Sequence, residues 1–381
     1  MVDINATRMP WWAWAWPLLS CVLFGSWAAG IAGTAFAAAA TAVLVATVFA
    51  AVYHAEVVAH RVGEPFGTLI LALAVTVIEV ALIVSIMLGG GPDTAALARD
   101  TVLAAVMIIC NGVVGFCLLS GGARHHEQGF QAQGANAALA VLTAMVTLSL
   151  VLPNYTTSAA GPLFSVSQLV FAGTVSLVLY GTFVFVQTMR HRDYFLPQAD
   201  PTRPDPTHAD PAHADPALAA DEEAHAPMPS NAATFASLAL LLIALVAVVG
   251  LAKALTPTLE GIVDKAGAPK AVVGIVIAAI VLLPEGLAAL RAARMNRLQT
   301  SMNLALGSAL ASIGLTIPAV AAVSIALDTP LALGLGPKET VLLAVTVLIS
   351  VITLGTGRTT ILQGVVHLVI LAAFLFLAIV P

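Results

Sequence analysis

The chain has 381 residues, of which 60% are apolar and 9% charged, and its formal net charge is −5; soluble domains carry roughly 25% charged residues. Eleven of its 35 charges fall between Arg190 and Ser230, so the other 340 residues hold only 24. This composition excludes a secreted disulfide scaffold, a nucleic-acid binder and a disordered tail protein, and it specifies a polytopic membrane protein.

The N-terminal cluster Trp11, Trp12, Trp14 and Trp16 suits a retained aromatic anchor at the membrane interface rather than a cleaved leader. A span needs about 20 apolar residues. The stretches between Gly, Pro and charge give eleven windows: 16–32, 34–54, 66–90, 100–120, 134–153, 165–188, 231–254, 270–291, 299–326, 337–355 and 358–380. None alternates polar and apolar residues as a β-barrel strand does, so the predicted fold is all-α with about eleven transmembrane helices. Cys21, Cys110 and Cys117 lie in apolar runs without metal-ligand spacing and read as small core residues. The stretch 198–230, with its "HADPAHADPA" and "ADEEAHA", cannot bury a core and reads as a hydrophilic linker. Its His208, His213 and His225 stand among six acids, a composition for weak metal binding at most.

Basic residues on alternate loops set the orientation. The side of the N-terminus carries ten (Arg8, Arg61, Arg124, Arg190, Arg192, Arg203, Arg291, Arg294, Arg297, Arg358) and the other side five (Arg99, Lys253, Lys265, Lys270, Lys338). Loops rich in Lys and Arg stay in the cytoplasm, so the N-terminus and the linker are expected inside and the C-terminus outside.

The two halves show internal symmetry. A shift of 206 lays Arg61–Val80 on Gly267–Gly286 and Glu79 on Glu285; a shift of 197 lays Asn111 on Ser308 and Gly115 on Ser312. Transporters are often built from inverted repeats, and five helices per copy force the second copy to insert upside down. The expected division is 1–33 as an N-terminal segment with an extra helix, 34–189 as the first repeat, 190–230 as the acidic linker and 231–381 as the second repeat.

Glu79 and Glu285 are the only acidic residues in the interior of the predicted spans. A carboxylate there costs roughly 2.5–3.5 kcal/mol on insertion scales and by default marks an ion or proton path; the bland alternative is a protonated structural Glu. Facing one another, the pair can share a cation when ionised or hold protons when not. Pro284 has no N–H and so frees the carbonyl of Ile280, a backbone oxygen of the kind a broken helix offers a hard cation, although a proline kink is as readily a packing device. Thr76, three residues before Glu79, offers a hydroxyl on the same helical face. Asn111 and Ser308 stand beside Gly112 and Gly307 on the next helices, among small residues that read mostly as packing.

At the helix mouths, Glu56, His60 and Glu64 follow i, i+4, i+8, and Glu260 and Asp264 follow i, i+4. These two sets read as acidic vestibules on opposite sides, or as solvated helix ends. Gln363 and His367, four apart in the last span, read as interhelical hydrogen-bonding residues.

The stretches "HAEVVAHRVGEPFGTLILALAVTVIEV", "PEGLAALRAA", "MNLALGSALASIGLTIP" and "TGRTTILQGVVHL" resemble the calcium:cation antiporter superfamily, and within it the bacterial ChaA-type calcium/proton (sodium/proton, potassium/proton) exchangers. The resemblance implies an extra first helix followed by two inverted five-helix repeats in the bacterial inner membrane. It implies that Glu79 and Glu285 hold the metal ion or exchange it for protons, with Asn111 and Ser308 as polar neighbours. Where the family places Gly and an oxygen-bearing side chain just before the glutamate, this chain has "AVTVIE" and "IVLLPE", so the choice among Ca2+, Na+ and K+ stays open. The function expected is cation/proton antiport by alternating access at the paired glutamates, with Ca2+/H+ exchange as the first reading and Na+/H+ or K+/H+ exchange on the same scaffold as the alternative, and without a cofactor. Inorganic cations and the lipid bilayer are the partners, nucleic acid is excluded and a homo-oligomer is left open. Two other classes compete: an intramembrane enzyme, for which no span carries a cluster of buried Arg, His or metal ligands, and a channel, which would not couple to protons.

Overall fold

In a bilayer core every backbone N–H and C=O has to find its partner within the chain, so helices are the means by which an apolar sequence of this kind crosses. The computed structural model describes residues 9–63, 66–87, 95–196, 229–267, 269 and 271–380. Among them run eleven helical rods: α1 (Trp11–Ala28), α2 (Thr34–Val62), α3 (Phe66–Met87), α4 (Leu97–His125), α5 (Ala132–Tyr155), α6 (Val166–Arg190), α7 (Asn231–Lys265), α8 (Ala271–Arg294), α9 (Leu298–Leu327), α10 (Pro337–Leu354) and α11 (Ile361–Ile379). Nine of these are long and apolar enough to cross a membrane by the described residues alone, and α1 and α3 complete the set. Most of the linker, together with Glu64, Arg8 and Lys270, lies outside the described residues.

Local chemistry sets the ends. Gly63 takes φ 77° after α2, a left-handed conformation that glycine adopts without a Cβ clash. Ser230 caps α7 by accepting from the Ala233 N–H at 3.2 Å, and Pro337 opens α10 in the first turn, where no N–H is needed. Gln363 closes the start of α11: its Oε1 accepts from the Thr360 backbone N–H at 2.9 Å and from the Thr360 hydroxyl at 2.6 Å. The expected interhelical role of Gln363 is therefore replaced by a capping box, because the residue sits three positions after the cap and not in the span interior. Among the described residues the all-α expectation is relieved by a two-residue pairing of β1 (Gln128–Gly129) with β2 (Arg358–Thr359) and by an isolated bridge between Leu163 and Ala332.

Loop contacts segregate to two ends of the bundle. At one end Arg61 Nη2 donates to Asn231 Oδ1 at 2.6 Å, and Gln128 Nε2 donates to the Ala293 carbonyl at 2.9 Å. At the other, Asn154 Nδ2 meets the Leu335 carbonyl at 2.6 Å, and Lys338 Nζ meets that of Leu377 at 2.8 Å. The start of α1 packs beside Tyr53 and His54, near the end of α2 that carries Arg61. The first and last described helices thus start and finish at opposite ends of the bundle. His54 Nε2 donates to the Ala13 carbonyl at 2.9 Å; the residue four further on is Pro17, which has no N–H to occupy that carbonyl.

Helix pairings respect an exchange of α2–α6 with α7–α11. α4 packs on α11 as α9 packs on α6, α3 packs on α9 as α8 packs on α4, and α2 packs on α7. In lipid such contacts rest on close backbone approach. A Cβ on Gly115 would stand 3.1 Å from His367 Cβ, and one on Gly364 would stand 2.8 Å from Leu119 Cα. Cys110 and Cys117 are buried in α4 as expected, whereas Cys21 is exposed on α1, because α1 is an outer helix with a wide free face. Gly364→Val should force α4 and α11 apart and cost about 1–3 kcal/mol, read as a lowered Tm of the detergent-solubilised protein.

Candidate cation site

Helices α3, α8 and α9 carry the buried acids and their donors. Glu79 is 2% exposed and Glu285 8%, and each accepts a hydrogen bond from a hydroxyl of the same helix. Ser312 Oγ donates to Glu79 Oε2 at 2.7 Å, and Ser308 Oγ donates to Glu285 Oε2. Because the serines are four apart, they occupy one face of α9 and tie both carboxylates to it. The second oxygen of Glu79, Oε1, is buried with no hydrogen-bond partner among the described residues. A bare carboxylate oxygen away from water is costly, so this atom calls for a proton or a cation.

Thr76 is buried one turn before Glu79. Pro284 is buried in α8, and the helix runs without a break from Ala271 to Arg294. The flanking turns hold the helical path, so Pro284 withholds the single N–H that would have met the Ile280 carbonyl without breaking the helix. Ile280 itself is partly buried against the cluster that α2, α3 and α7 form.

Asn111 lies in a π-helical stretch of α4, Ile108–Val113, a departure from α-helical winding that often marks functional sites. The stretch packs on α8, α9 and α11, and a Cβ on Gly286, next to Glu285, would stand 3.2 Å from Val113 Cγ2. The amide itself turns toward α10 and α11. Nδ2 donates to Thr346 Oγ1 at 2.9 Å, and Oδ1 accepts from His367 Nδ1 at 3.2 Å. Ser308, in contrast, bonds directly to a glutamate.

The two vestibule sets stay apart from this centre and from each other, on the antiparallel pair α2 and α7. Glu56 and His60 are partly buried near the Arg61 end, whereas Glu260 is partly buried and Asp264 exposed at the other end. Among the described residues no group of three or more His, Cys, Asp or Glu could hold a metal ion together. A cation between the glutamates would therefore complete its shell with neutral oxygens.

Sequence reasoning read Ser312 only as a small packing residue, although its spacing of four from Ser308 was a usable signal. It missed Thr346 altogether, since a threonine in an apolar run carries no mark of its partner.

The family description "Sodium/calcium exchanger protein" matches residues 32–189 and 236–380. The chain belongs to this family. It is a transporter of inorganic cations in a membrane rather than an enzyme, as exchangers are. Among the relatives of this exchanger is y4hA of Sinorhizobium fredii (strain NBRC 101917 / NGR234), 48% identical over 383 residues, with 100% of this chain and 99% of that protein covered. Another is the sodium-potassium/proton antiporter ChaA of Escherichia coli (strain K12), 34% identical over 332 residues, with 87% of this chain and 85% of that protein covered. In fold the exchanger is similar to the solved Ca2+/H+ antiporter protein YfkE, with a TM-score of 0.68 at 16% identity over 97% of this chain and 98% of that one.

Ser312→Ala would strip Glu79 of its donor and is expected to cost about 1–3 kcal/mol of stability. The cost should shrink in a Glu79→Leu background, where no buried carboxylate is left to satisfy, and thermal unfolding of the four proteins measures it.

Proposed function

We propose that this exchanger is a secondary active cation/proton antiporter that carries Ca2+ inward or outward against H+ by alternating access at Glu79 and Glu285. The observation that carries this reading is the pair of buried carboxylates held by Ser308 and Ser312 of one helix, with Glu79 Oε1 left open. Two ionised carboxylates in an apolar interior are untenable without compensating charge. The site therefore alternates between a cation-loaded state and a proton-loaded state, and the two ligands exclude each other by charge. Ca2+ seeks six to eight oxygens. The carboxylates, Ser308, Ser312, Thr76, Asn111 and the Ile280 carbonyl are the oxygens we assign to it, and water completes the shell.

A Na+/H+ or K+/H+ exchange on the same site is the second reading, favoured by the likeness to the sodium-potassium/proton antiporter ChaA. One carboxylate then stays protonated throughout, because a single positive charge balances only one.

In this reading the segments 34–189 and 231–381 act as the two inverted repeats around the site, and 1–33 adds α1 to the outside. The linker 190–230 joins the repeats in the cytoplasm. The protein sits in the bacterial inner membrane with its N-terminus inside and its C-terminus outside, as the ten-to-five basic bias argues. Glu56, His60 and Glu64 then draw cations to the inner mouth, and Glu260 and Asp264 to the outer one.

Everted vesicles test the reading. Addition of Ca2+, Na+ or K+ to energised vesicles should release the proton gradient for the transported ion. Glu79→Gln and Glu285→Gln should each abolish that release while the protein still inserts, since the neutral amide lowers the insertion cost. Near-normal exchange in both variants would make the glutamates structural and move transport elsewhere.

A further inference from the structure

Two clefts correspond under the exchange of helices described above, and they differ in what fills them. One opens at the Arg61 end between α5, α6 and α9, and the other at the opposite end between α10, α11 and α4, with α8 along its side. The starts of two helices and the end of a third form each mouth, with Gly134, Asn303 and Gln187 in the first and Lys338, Asp100 and Leu377 in the second. The second cleft is a hollow of about 130 Å3, whereas the first keeps about 10 Å3, room for about one water.

Phe195 makes the difference. After α6 the chain turns back over the bundle in a single 3-10 turn, Arg192–Phe195. The Phe195 ring enters the first cleft edge-on to Phe183, with centroids 5.7 Å apart, and is 7% exposed. Glycine at 134 permits this, because a Cβ there would stand 3.2 Å from Phe195 Cδ1 and 2.5 Å from the Tyr194 carbonyl oxygen. The inner wall of the cleft includes Gly307, around whose Cβ position nothing lies within 4 Å; the next residue along α9 is Ser308. Among the described residues α11, which takes the place of α6 in the second cleft, is followed by no such turn.

An amide relay latches the turn, and its direction is fixed because both of its ends are main chain. The Gln131 backbone N–H donates to Gln299 Oε1 at 2.6 Å. Gln299 Nε2 is then the donor to Asn303 Oδ1 at 2.9 Å, and Asn303 Nδ2 the donor to the Phe195 carbonyl at 2.6 Å. Gln131 Nε2 adds a bond to the Asp193 carbonyl at 3.0 Å. Side chains from both halves of the chain thus hold one short turn in place.

We propose that Phe195 is a stopper and Gln299 part of its latch. The turn seals the cleft at the Arg61 end, while the corresponding cleft at the other end stays hollow. Release of the turn admits water and small solutes to the part of α9 at Gly307. The stopper controls access alone and is indifferent to which ion the exchanger carries.

Thiol accessibility tests this in full-length protein held in lipid nanodiscs, where both faces meet the reagent and orientation does not enter. Cys21, Cys110 and Cys117 are replaced by Ala, and one cysteine is introduced at a time, Gly307→Cys in the sealed cleft and Leu342→Cys in the hollow one. A charged, membrane-impermeant methanethiosulfonate should modify Leu342→Cys at least about tenfold faster than Gly307→Cys. Phe195→Ala should speed modification of Gly307→Cys by at least about tenfold, since burial of the ring weighs more than one decade in the opening equilibrium. Gln299→Met, which keeps the side chain's length and removes the relay, should speed it by about tenfold with the ring still present. Neither change should move the Leu342→Cys rate by more than about twofold.

Equal rates at Gly307→Cys with and without Phe195, or matching rates at the two cysteines in the parent, would overturn the proposal. So would acceleration of both cysteines together, which marks a general loosening of the bundle. If Phe195→Ala fails to assemble, Gln299→Met decides alone, and an unchanged Gly307→Cys rate is contrary to the stopper.

Discussion

Two carboxyl groups withdrawn from water and tied to one helix impose a condition on every other part of this molecule: at most a small net charge can reside at its centre at any moment. The exchanger places both acids against one helix, α9, whose Ser308 and Ser312 each satisfy a single oxygen. A donor set that fully satisfied both carboxylates would freeze them in the ionised form, and an entirely apolar surround would keep them neutral. Partial satisfaction leaves the balance to whichever positive charge arrives. In the proposed antiport, exchange rather than leak would follow from the same condition, because a pair of ionised carboxylates could not stand empty there.

The packing serves this centre. α9 touches α3, α4, α5, α6 and α8, and a Cβ on its Gly314 would stand 2.7 Å from Tyr180 Cβ, so α6 lies hard against it. On the other flank the glycines of α4 and α11 bring His367 within hydrogen-bonding distance of Asn111. Small residues at helix contacts thus decide which polar side chains meet. In lipid this is where packing free energy is concentrated, since apolar side chains gain little from one another that lipid tails would not supply.

Much of the fold was legible in the sequence because hydropathy, Pro, Gly and charge report directly on what a bilayer tolerates. All eleven windows correspond to rods, with ends displaced where amphipathic helix runs beyond the apolar stretch, as in α2, which continues through Glu56 and His60 to Val62. The glutamates were legible for the same reason: an acid inside a span is conspicuous. Partners were not. Ser312 looked like any small residue, and nothing in the sequence revealed that Asn111 would turn to Thr346 and His367, since side-chain direction in a π-helical stretch follows from winding that composition does not encode. Gln363 was misread because a polar residue in the first turn of a span serves as a cap, and the start of α11 fell three residues later than its hydropathy window.

In the proposed antiport, cation and protons compete for the same two carboxylates, and direct binding tests this without vesicles. Purified protein in detergent, in weak buffer with a pH indicator, should release about two protons for each Ca2+ bound, or about one for each Na+ or K+, as charge balance at a buried site requires. Release should vanish, together with binding, in the Glu79→Gln, Glu285→Gln double variant. Cation binding at wild-type affinity with no proton release, or release that persists in the double variant, would contradict it.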